Sequence, residues 1–389
     1  MTKNIFLLGR QPNLGIAELE SLLGSENLTT FSHISAVSNI EVNSNLQVRL
    51  GGTQKIGRII LEKPLLSWPE IEDTIKKELV SVILNSTEGK INLGISCYGV
   101  RVKPSQLNGS NIALKKIIKQ ESRPIRIVPN KTEELSTAQV LHNNLISIHG
   151  FELIIVQGKN SLIFAQTISI QDINAYANRD QNRPKRDARV GMLPPKLAQI
   201  MLNLANPLQE AVVLDPFCGT GVILQEALLM GFSVIGTDLN ERMVDYSRVN
   251  LDWLNQKFNK LNEWKVEVGD ATNHIWKTDF NSVVCETLLG KPLVKLPSMQ
   301  ELRHDSDFLD KLITKFLINI GNQIKNETKI CIAIPAWVTD NGFITLPLLD
   351  HLEKIGYNRM RFKNVDSRDL IYFRPNQLVA RQLLVLIRK

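Results

Sequence analysis

An α/β protein is predicted, with a parallel sheet covered on both faces in its C-terminal half and smaller α+β units before it. Three observations predict this. From Pro195 onward short apolar strands alternate with amphipathic helices, the pattern of a sheet buried under helices on both sides. The 389 residues exceed what one core ordinarily serves, so two or three domains are expected. Hydrophobic residues make up 43% of the chain and charged ones 22%, a balance that excludes extended disorder.

The chain opens with a strand-like run, Asn4 to Leu8, and a helix from near Leu14 whose apolar face is Ala17, Leu19, Leu22 and Leu23. Further β-type runs follow at Ser35-Ala36-Val37, Leu46 to Leu50 and Arg58 to Leu61, then a helix from Trp68 to Val80. Strands separated by helices over residues 1–80 fit a ferredoxin-like α+β domain. Residues 81–170 form a second unit. Strand Lys90 to Cys97 precedes the basic helix Asn111 to Gln120, and strand Ile125 to Val128 a helix capped by Ser136. Strands Phe151 to Gln157 and Ser161 to Thr167 close a hairpin about Gly158-Lys159-Asn160. Residues 171–190 have no useful period and read as a linker, made basic by Arg179, Arg183, Lys185, Arg186 and Arg189. The β/α series of residues 191–389 then runs from helix Pro195 to Leu204 to strands near Arg359 to Val365 and Gln382 to Ile387, which look like an antiparallel pair.

Charge is unevenly spread. The net charge is +7, and residues 101–190, with 14 Lys/Arg against 7 Asp/Glu, hold an excess equal to that of the whole chain. A localised basic stretch suits a partner with a phosphate backbone, and a solvated surface with a basic linker is the bland alternative. Cys97, Cys218, Cys285 and Cys331 form no CxxC pair and read as buried free thiols; with the six histidines scattered, His274 and His304 included, no metal site is expected. No apolar run reaches membrane-spanning length and the N-terminus lacks a signal-peptide layout, so a cytoplasmic protein is expected.

The chemistry concentrates in Val212 to Gly231, where an apolar strand ends in Asp215 and runs through Pro216-Phe217-Cys218-Gly219-Thr220-Gly221 straight into a helix. Gly219 and Gly221 let the backbone turn sharply and approach a ligand. The spacing is not GxGxxG and no Walker lysine follows Gly221, so a pyrophosphate ligand is disfavoured. The next strand ends in Thr237-Asp238-Leu239-Asn240, with Asp238 placed to accept from ribose hydroxyls. The third ends in Val268-Gly269-Asp270-Ala271, where Asp270 is placed for an adenine amino group and the Ala271 amide for a ring nitrogen. Three strand ends in this order outline an adenosine site.

At these residues the sequence resembles a known family. Asp215 to Gly221 and Thr237 to Asn240 look like motifs I and II of class I amino-methyltransferases acting on RNA, nearest to the THUMP-domain tRNA guanosine-N2-methyltransferases that modify guanosine 10. Leu8 to Pro12, Gly51 to Ile56, Gly191 to Ala198, Tyr372 to Pro375 and Val379-Ala380-Arg381 resemble further segments of that family, so the likeness covers nearly the whole chain. The resemblance implies a Rossmann-like domain over 191–389 that binds S-adenosylmethionine through Asp215, Phe217, Cys218, Gly219, Thr220, Gly221, Asp238, Leu239, Asp270 and Ala271. It implies a THUMP module over 81–170 that grips the acceptor end of tRNA, with Lys115, Lys116, Lys119, Arg123 and Arg126 as candidate phosphate contacts. A small activating subunit is consistent with it, leaving the protein a monomer or a heterodimer.

The departure lies where transfer takes place. The family's fourth strand ends in Asp-Pro-Pro-Tyr; here Ser282 to Cys285 leads into Glu286-Thr287-Leu288-Leu289, without either proline and without a ring. Glu286 is the candidate catalytic residue, standing for the aspartate with one more methylene, and Phe280 or Trp337 is a candidate source of the missing ring. Base stacking on such a ring is worth about 1–3 kcal/mol. Two other readings stay open: an RNA-binding partner protein with a degenerate methyltransferase domain, and a DNA amino-methyltransferase, a group that shares the glycine loop.

Overall fold

The computed structural model describes residues 3–42, 44–187, 192–258, 262–340, 342–375 and 377–389. Arg189 and Gly191, named above, lie outside the described residues. In chain order the first elements are β1 (Asn4–Leu8), α1 (Pro12–Leu23), β2 (Leu28–Ser32), β3 (Ser35–Ser38), α2 (Ser44–Arg49) and β4 (Thr53–Pro64). They are followed by α3 (Trp68–Thr74), a π-helical stretch Ile75–Leu79, α4 (Val80–Asn85), β5 (Ile91–Tyr98), α5 (Pro104–Gln120) and β6 (Ile125–Ile127). Then come α6 (Thr137–His142), β7 (Gly150–Gln157), β8 (Ser161–Ile170) and α7 (Ile173–Gln181). The series ends with α8 (Pro195–Ala205), β9 (Val212–Asp215), α9 (Val222–Leu229), β10 (Ser233–Asp238), α10 (Glu241–Phe258), β11 (Trp264–Val268), β12 (Ser282–Glu286), α11 (Met299–Gly321), β13 (Lys329–Thr339), β14 (Gly342–Ile344), β15 (Tyr357–Arg359), β16 (Ile371–Tyr372) and β17 (Val379–Arg388).

Two compact units result. The first gathers residues 1–12, 26–48 and 53–173 around one eight-stranded sheet of order β2-β3-β1-β4-β8-β7-β5-β6. Its neighbours are antiparallel except that β5 lies parallel to both β6 and β7. The long β4 pairs with β8 from Lys55↔Ile170 to Pro64↔Ser161, so residues on either side of the expected boundary at 80/81 share one sheet rather than forming two modules. Buried Lys55 lies in that seam, donating to Leu135 O at 2.7 Å and pairing with Glu152, which also accepts from Ser96 and Thr167. The expected hairpin about residues 158–160 is present as β7–β8, and Ser136 caps α6 by accepting from Gln139 N at 3.3 Å. Leu46 to Leu50, expected as a strand, is instead largely the helix α2. Buried Leu50 and the Gln47 side chain, bonded to Thr53 O at 2.9 Å, set its inner face while Val48 is exposed.

The second unit comprises residues 13–25, 49–52 and 174–389. Its sheet runs β11-β10-β9-β12-β13-β17-β15, with β14 on β13 and β16 on β17. β9 to β13 are parallel and β17 enters antiparallel between β13 and β15. One face packs on α8, α9 and α10 through residues such as Met201, Val213, Leu224, Leu251 and Val284; the other packs on α11 through Leu214, Val283, Ile313 and Phe316. The closing strands do pair antiparallel, as β15 with β17, but the strand expected near Arg359 to Val365 lies earlier, at Tyr357–Arg359, and overlaps the expectation only at Arg359. The stretch read as a linker, 171–190, contains helix α7. Tyr176 is buried, its hydroxyl bonded to Gln199, and Arg179 pairs with buried Glu226 at 2.7 Å, contacts that hold α7 in place.

In the parallel part the chain runs β9, β10, β11 outward and then returns to place β12 on the other side of β9. Strand order therefore reverses between β9 and β12. At such a point two adjacent loops leave in opposite directions, and the crevice between them is where open α/β sheets bind ligands.

Candidate active site

Both Asp215 and Glu286 stand at this reversal, as the last residues of β9 and β12. From Asp215 the chain turns through Gly219 at φ +50° and Gly221 at φ +80° before α9 begins. Both angles lie in the left-handed region that side chains disfavour. At Gly221 a Cβ would also sit 2.9 Å from Ser247 Oγ.

The loop is fixed from behind. Ser247 and Asn250 of α10 donate to Gly219 O and Thr220 O, each at 2.8 Å, and Gln225 of α9 donates to Gly221 O at 2.9 Å. Cys218 N donates to Thr237 O and Gly219 N to Asp238 Oδ2, both at 2.9 Å. Asp238 Oδ1 accepts from Asn240 N at 2.9 Å, and Asp238 O from Gly269 N at 3.0 Å. The three strand tips singled out in the sequence are thus tied into one row. A carboxylate offers about four lone-pair sites, so Asp238 retains acceptor capacity for hydroxyls after binding two amides. Asp270 is likewise engaged at Oδ1 only, by Thr272 N at 2.9 Å and Thr272 Oγ1 at 2.8 Å. Leu239 is 72% exposed beside Asp238, whereas Ala271 is buried and its carbonyl accepts from Asn319 at 3.0 Å.

A cleft of about 460 Å³ opens beside the glycine loop, lined by Asp215, Phe217, Cys218, Gly219, Thr220 and Glu286. Six of the residues singled out in the sequence meet here; Gly221 instead packs on α10, and Asp238, Leu239, Asp270 and Ala271 stand on the neighbouring tips. The Phe217 ring packs edge-on against Phe316 at 5.1 Å. The opposite wall was missed: Asp187, Met192, Leu193, Ile223 and Met243 also line the cleft. Asp187 pairs with Arg242 at 3.1 Å, and neighbouring Lys185 exchanges backbone bonds with the Asn250 side chain at 2.9 and 3.0 Å. The charged, aperiodic composition of this stretch hid its role as a wall.

Three carboxylates, Asp187, Asp215 and Glu286, therefore face one small space. Burial pushes Asp215 well above the usual carboxylate range, resisted by the Phe217 amide and reinforced by the charges of Asp238 and Glu286. Burial also raises Glu286, opposed by Arg381, whose Nε donates to Glu286 Oε1. Carboxylates raised in this way gain from a cationic ligand, which favours their ionised forms. Arg381 was not foreseen as a site residue, although an arginine in a mostly apolar strand such as β17 announces a buried charge in need of a partner.

Other expectations are corrected by geometry. Trp337 is 2% exposed and belongs to the core, and Phe280 packs edge-on against Trp276 at 5.9 Å, so neither offers a free ring face at the strand tip. Lys116, Lys119 and Arg126 are exposed and Lys115 is half-buried on α5 and β6. Arg123 is different: it donates to Gly89 O at 3.0 Å, Leu84 O at 3.3 Å and Thr87 O at 2.9 Å, closing the end of α4. Its guanidinium is occupied by structure. Among the described residues no cluster of metal-ligating side chains is present, and no helix is long and apolar enough to cross a membrane.

Comparison with known proteins places this geometry. Residues 183–316 match the RMKL-like methyltransferase domain family, and residues 105–249 match a DNA methylase family. The tRNA (guanine(10)-N2)-dimethyltransferase of Pyrococcus abyssi is 45% identical over 80 residues, 21% of this chain and 22% of that protein. The enzyme of the same name from Methanothermobacter thermautotrophicus is 31% identical over 148 residues, 38% of this chain and 40% of its own length. The chain thus matches less than half the length of these curated relatives. Among solved structures, TrmN from Thermus thermophilus covers 100% of both chains with a TM-score of 0.53 at 13% identity. SMU.472, solved with SAH, covers 98% of this chain and 97% of its own with a TM-score of 0.53 at 11% identity. These likenesses establish a class I methyltransferase fold.

Proposed function

We propose that the chain is an S-adenosylmethionine-dependent tRNA methyltransferase acting on the exocyclic N2 amine of a guanosine, of the position-10 type. One observation carries the reading: the carboxylate-lined cleft at the reversal between β9 and β12, reached by the glycine loop and lying within the segment that matches a methyltransferase domain. The names of the curated relatives supply the substrate class.

The residues present fit the cofactor. Asp238 keeps capacity for ribose hydroxyls, Asp270 and the Ala271 amide stand where an adenine edge reaches the next tip, and Asp187, Asp215 and Glu286 favour positive charge. S-adenosylmethionine supplies an electrophilic methyl group and a leaving sulfur that becomes neutral on transfer. The chain's own work is orientation. The glycine loop, held by Ser247, Asn250 and Asp238, fixes the cleft's floor, and positioning of this kind accounts for much of the rate in such displacements. Glu286 accepts a hydrogen bond from the amine, which directs the nitrogen lone pair, and takes the proton shed as the N–C bond forms and the C–S bond breaks.

The basic segment supplies the RNA grip in this reading. Residues 81–170 would act as the THUMP-like RNA grip from within the sheet they share with β1 to β4, with Lys115, Lys116, Lys119 and Arg126 as phosphate contacts and the following stretch to 190 adding positive charge. The protein acts in the cytoplasm, as a monomer or with a small activating subunit. A second reading is favoured by the Glu286–Arg381 pair and the absent ring: an RNA-binding partner that holds cofactor without transfer. Incubating the full-length protein and S-adenosylmethionine with unmodified tRNA, tRNA lacking its 3′ end and DNA, then analysing nucleosides by mass spectrometry, separates the readings. N2-methylguanosine in intact tRNA is expected. Cofactor binding without product in any pool defeats the enzyme reading, and methylation of DNA alone defeats the tRNA reading.

A further inference from the structure

Resting on the methyltransferase reading, we propose that Arg381 is the positioning residue for Glu286, reaching across β13 to fix the carboxylate so that its other oxygen meets the substrate amine. β13 lies between the strands that carry the two residues. Glu286 is opposite Ala333 on one side of it, and Arg381 is opposite Pro335 on the other. Ala333 and Pro335 are two apart and so share a sheet face. Neither presents a long side chain, which leaves room for Glu286 and Arg381 to join above them. The β12 tip is fixed independently: both Thr287 N and Thr287 Oγ1 donate to Ala333 O, at 2.9 and 3.0 Å. Arg381 Nε donates to Glu286 Oε1, with side chains 5% and 18% exposed, and the partly exposed member is the one that lines the cleft.

A buried ion pair seldom improves stability over apolar residues of the same shape. Its place at the end of a strand, on the wall of the cleft, therefore calls for another reason. The groups facing Glu286 supply it. Asp215 from β9 and Asp187 from the preceding segment are both carboxylates in the same space, the Cys218 and Cys285 thiols are buried, and Met192, Leu193, Val222 and Ile223 bring no charge. Arg381 is thus the cation that opposes burial at Glu286. Without it the carboxyl takes up a proton more readily, and the neutral acid is a weaker acceptor for the amine N–H and cannot take the proton shed on transfer.

The test uses full-length Arg381→Gln, Arg381→Lys and Glu286→Gln. The carboxyl resonance of ¹³C-labelled glutamate that disappears in Glu286→Gln reports the titration of Glu286. SAH affinity is measured by calorimetry, and single-turnover transfer to an unmodified tRNA transcript is followed across pH. In Arg381→Gln, SAH affinity is expected within about two-fold of the parent, while the Glu286 titration rises by about one pH unit or more. Its transfer rate is expected to fall about ten-fold or more at neutral pH and to recover as pH rises. Arg381→Lys, which keeps the charge without the fork, restores most of the titration and part of the rate. Arg381→Met replaces Arg381→Gln if the latter does not fold. The proposal is overturned if the Glu286 titration stays in place, or if the rate falls by one factor at every pH. A parent protein that neither binds SAH nor transfers methyl overturns the underlying reading instead, and the titration still shows whether Arg381 sets the state of Glu286.

Discussion

Glu18 is fully buried, and its carboxylate accepts from Gly51 N and Gly52 N at 2.8 Å and from Asn203 Nδ2 at 2.7 Å. Burial outweighs these donors and nearby Arg49, pushing its pKa up from the ordinary 4.5 to about 7. The sign follows from linkage. Below pH 4.5 the carboxyl is protonated in both the folded and unfolded chains, so its contribution is fully present. As pH rises toward about 7 the unfolded chain ionises first and the contribution is lost. Urea midpoints measured across this window should therefore fall more steeply with pH for the parent than for Glu18→Gln; parallel curves would remove Glu18 from the account. Gly221 gives a second residue-scale prediction. Gly221→Ala combines left-handed strain of about 1–2 kcal/mol with a contact 2.9 Å from Ser247 Oγ. It should lower thermal stability and weaken SAH binding together, and unchanged affinity by calorimetry would show that the loop's shape does not depend on this angle.

At the scale of elements, the basic segment separates into two kinds of cation. Arg123 binds the carbonyls that end α4, a role no salt titration detects, whereas Lys116 and Lys119 project exposed from α5. Arg123→Ala is expected to cost about 1–3 kcal/mol of stability through unpaired carbonyls and to leave the salt dependence of tRNA binding unchanged. Lys116→Ala and Lys119→Ala should do the reverse, each lowering the slope of log affinity against log salt by about one. Filter binding across salt concentrations, with thermal denaturation alongside, distinguishes them; a reduced slope in Arg123→Ala would return it to the phosphate contacts. Sequence alone could not sort these residues, because a run of lysines and arginines records charge and not which oxygens lie within reach.

For the whole molecule, chain order and folding unit do not coincide. Residues 13–25 and 49–52 belong with 174–389, and the reason is visible in their partners. Glu20 accepts from Lys363 N at 2.6 Å and from Asn364 N at 2.9 Å, while Arg49 donates to Asn203 Oδ1 at 2.9 Å. Leu14 and Ala17 also enter the core under α8. A fragment of residues 174–389 should therefore melt well below the corresponding transition of the full chain, and an equal transition temperature by calorimetry would show these N-terminal contacts to be dispensable.

By itself the sequence determined what short-range physics controls. The alternation of β9 to β13 with helices follows from hydrophobic period, the loop from Asp215 to Gly221 from backbone freedom, and the acids at 215, 238, 270 and 286 from their places at strand ends. Even there the period misread Leu46 to Leu50: apolar residues at 46, 48 and 50 suggest a strand, but the buried pair is Gln47 and Leu50, three apart as on one face of a helical turn. Tertiary structure alone decided what depends on segments distant along the chain. It joined Arg381 to Glu286 across β13, made a cleft wall of Asp187 in a stretch that looked like a linker, withdrew Trp337 and Phe280 into packing, and carried Glu18 to Asn203. Each of these is a pairing between residues that no local pattern relates. The strands and helices are written in the period of the chain, but the state of a buried charge depends on which other charge the fold brings to it.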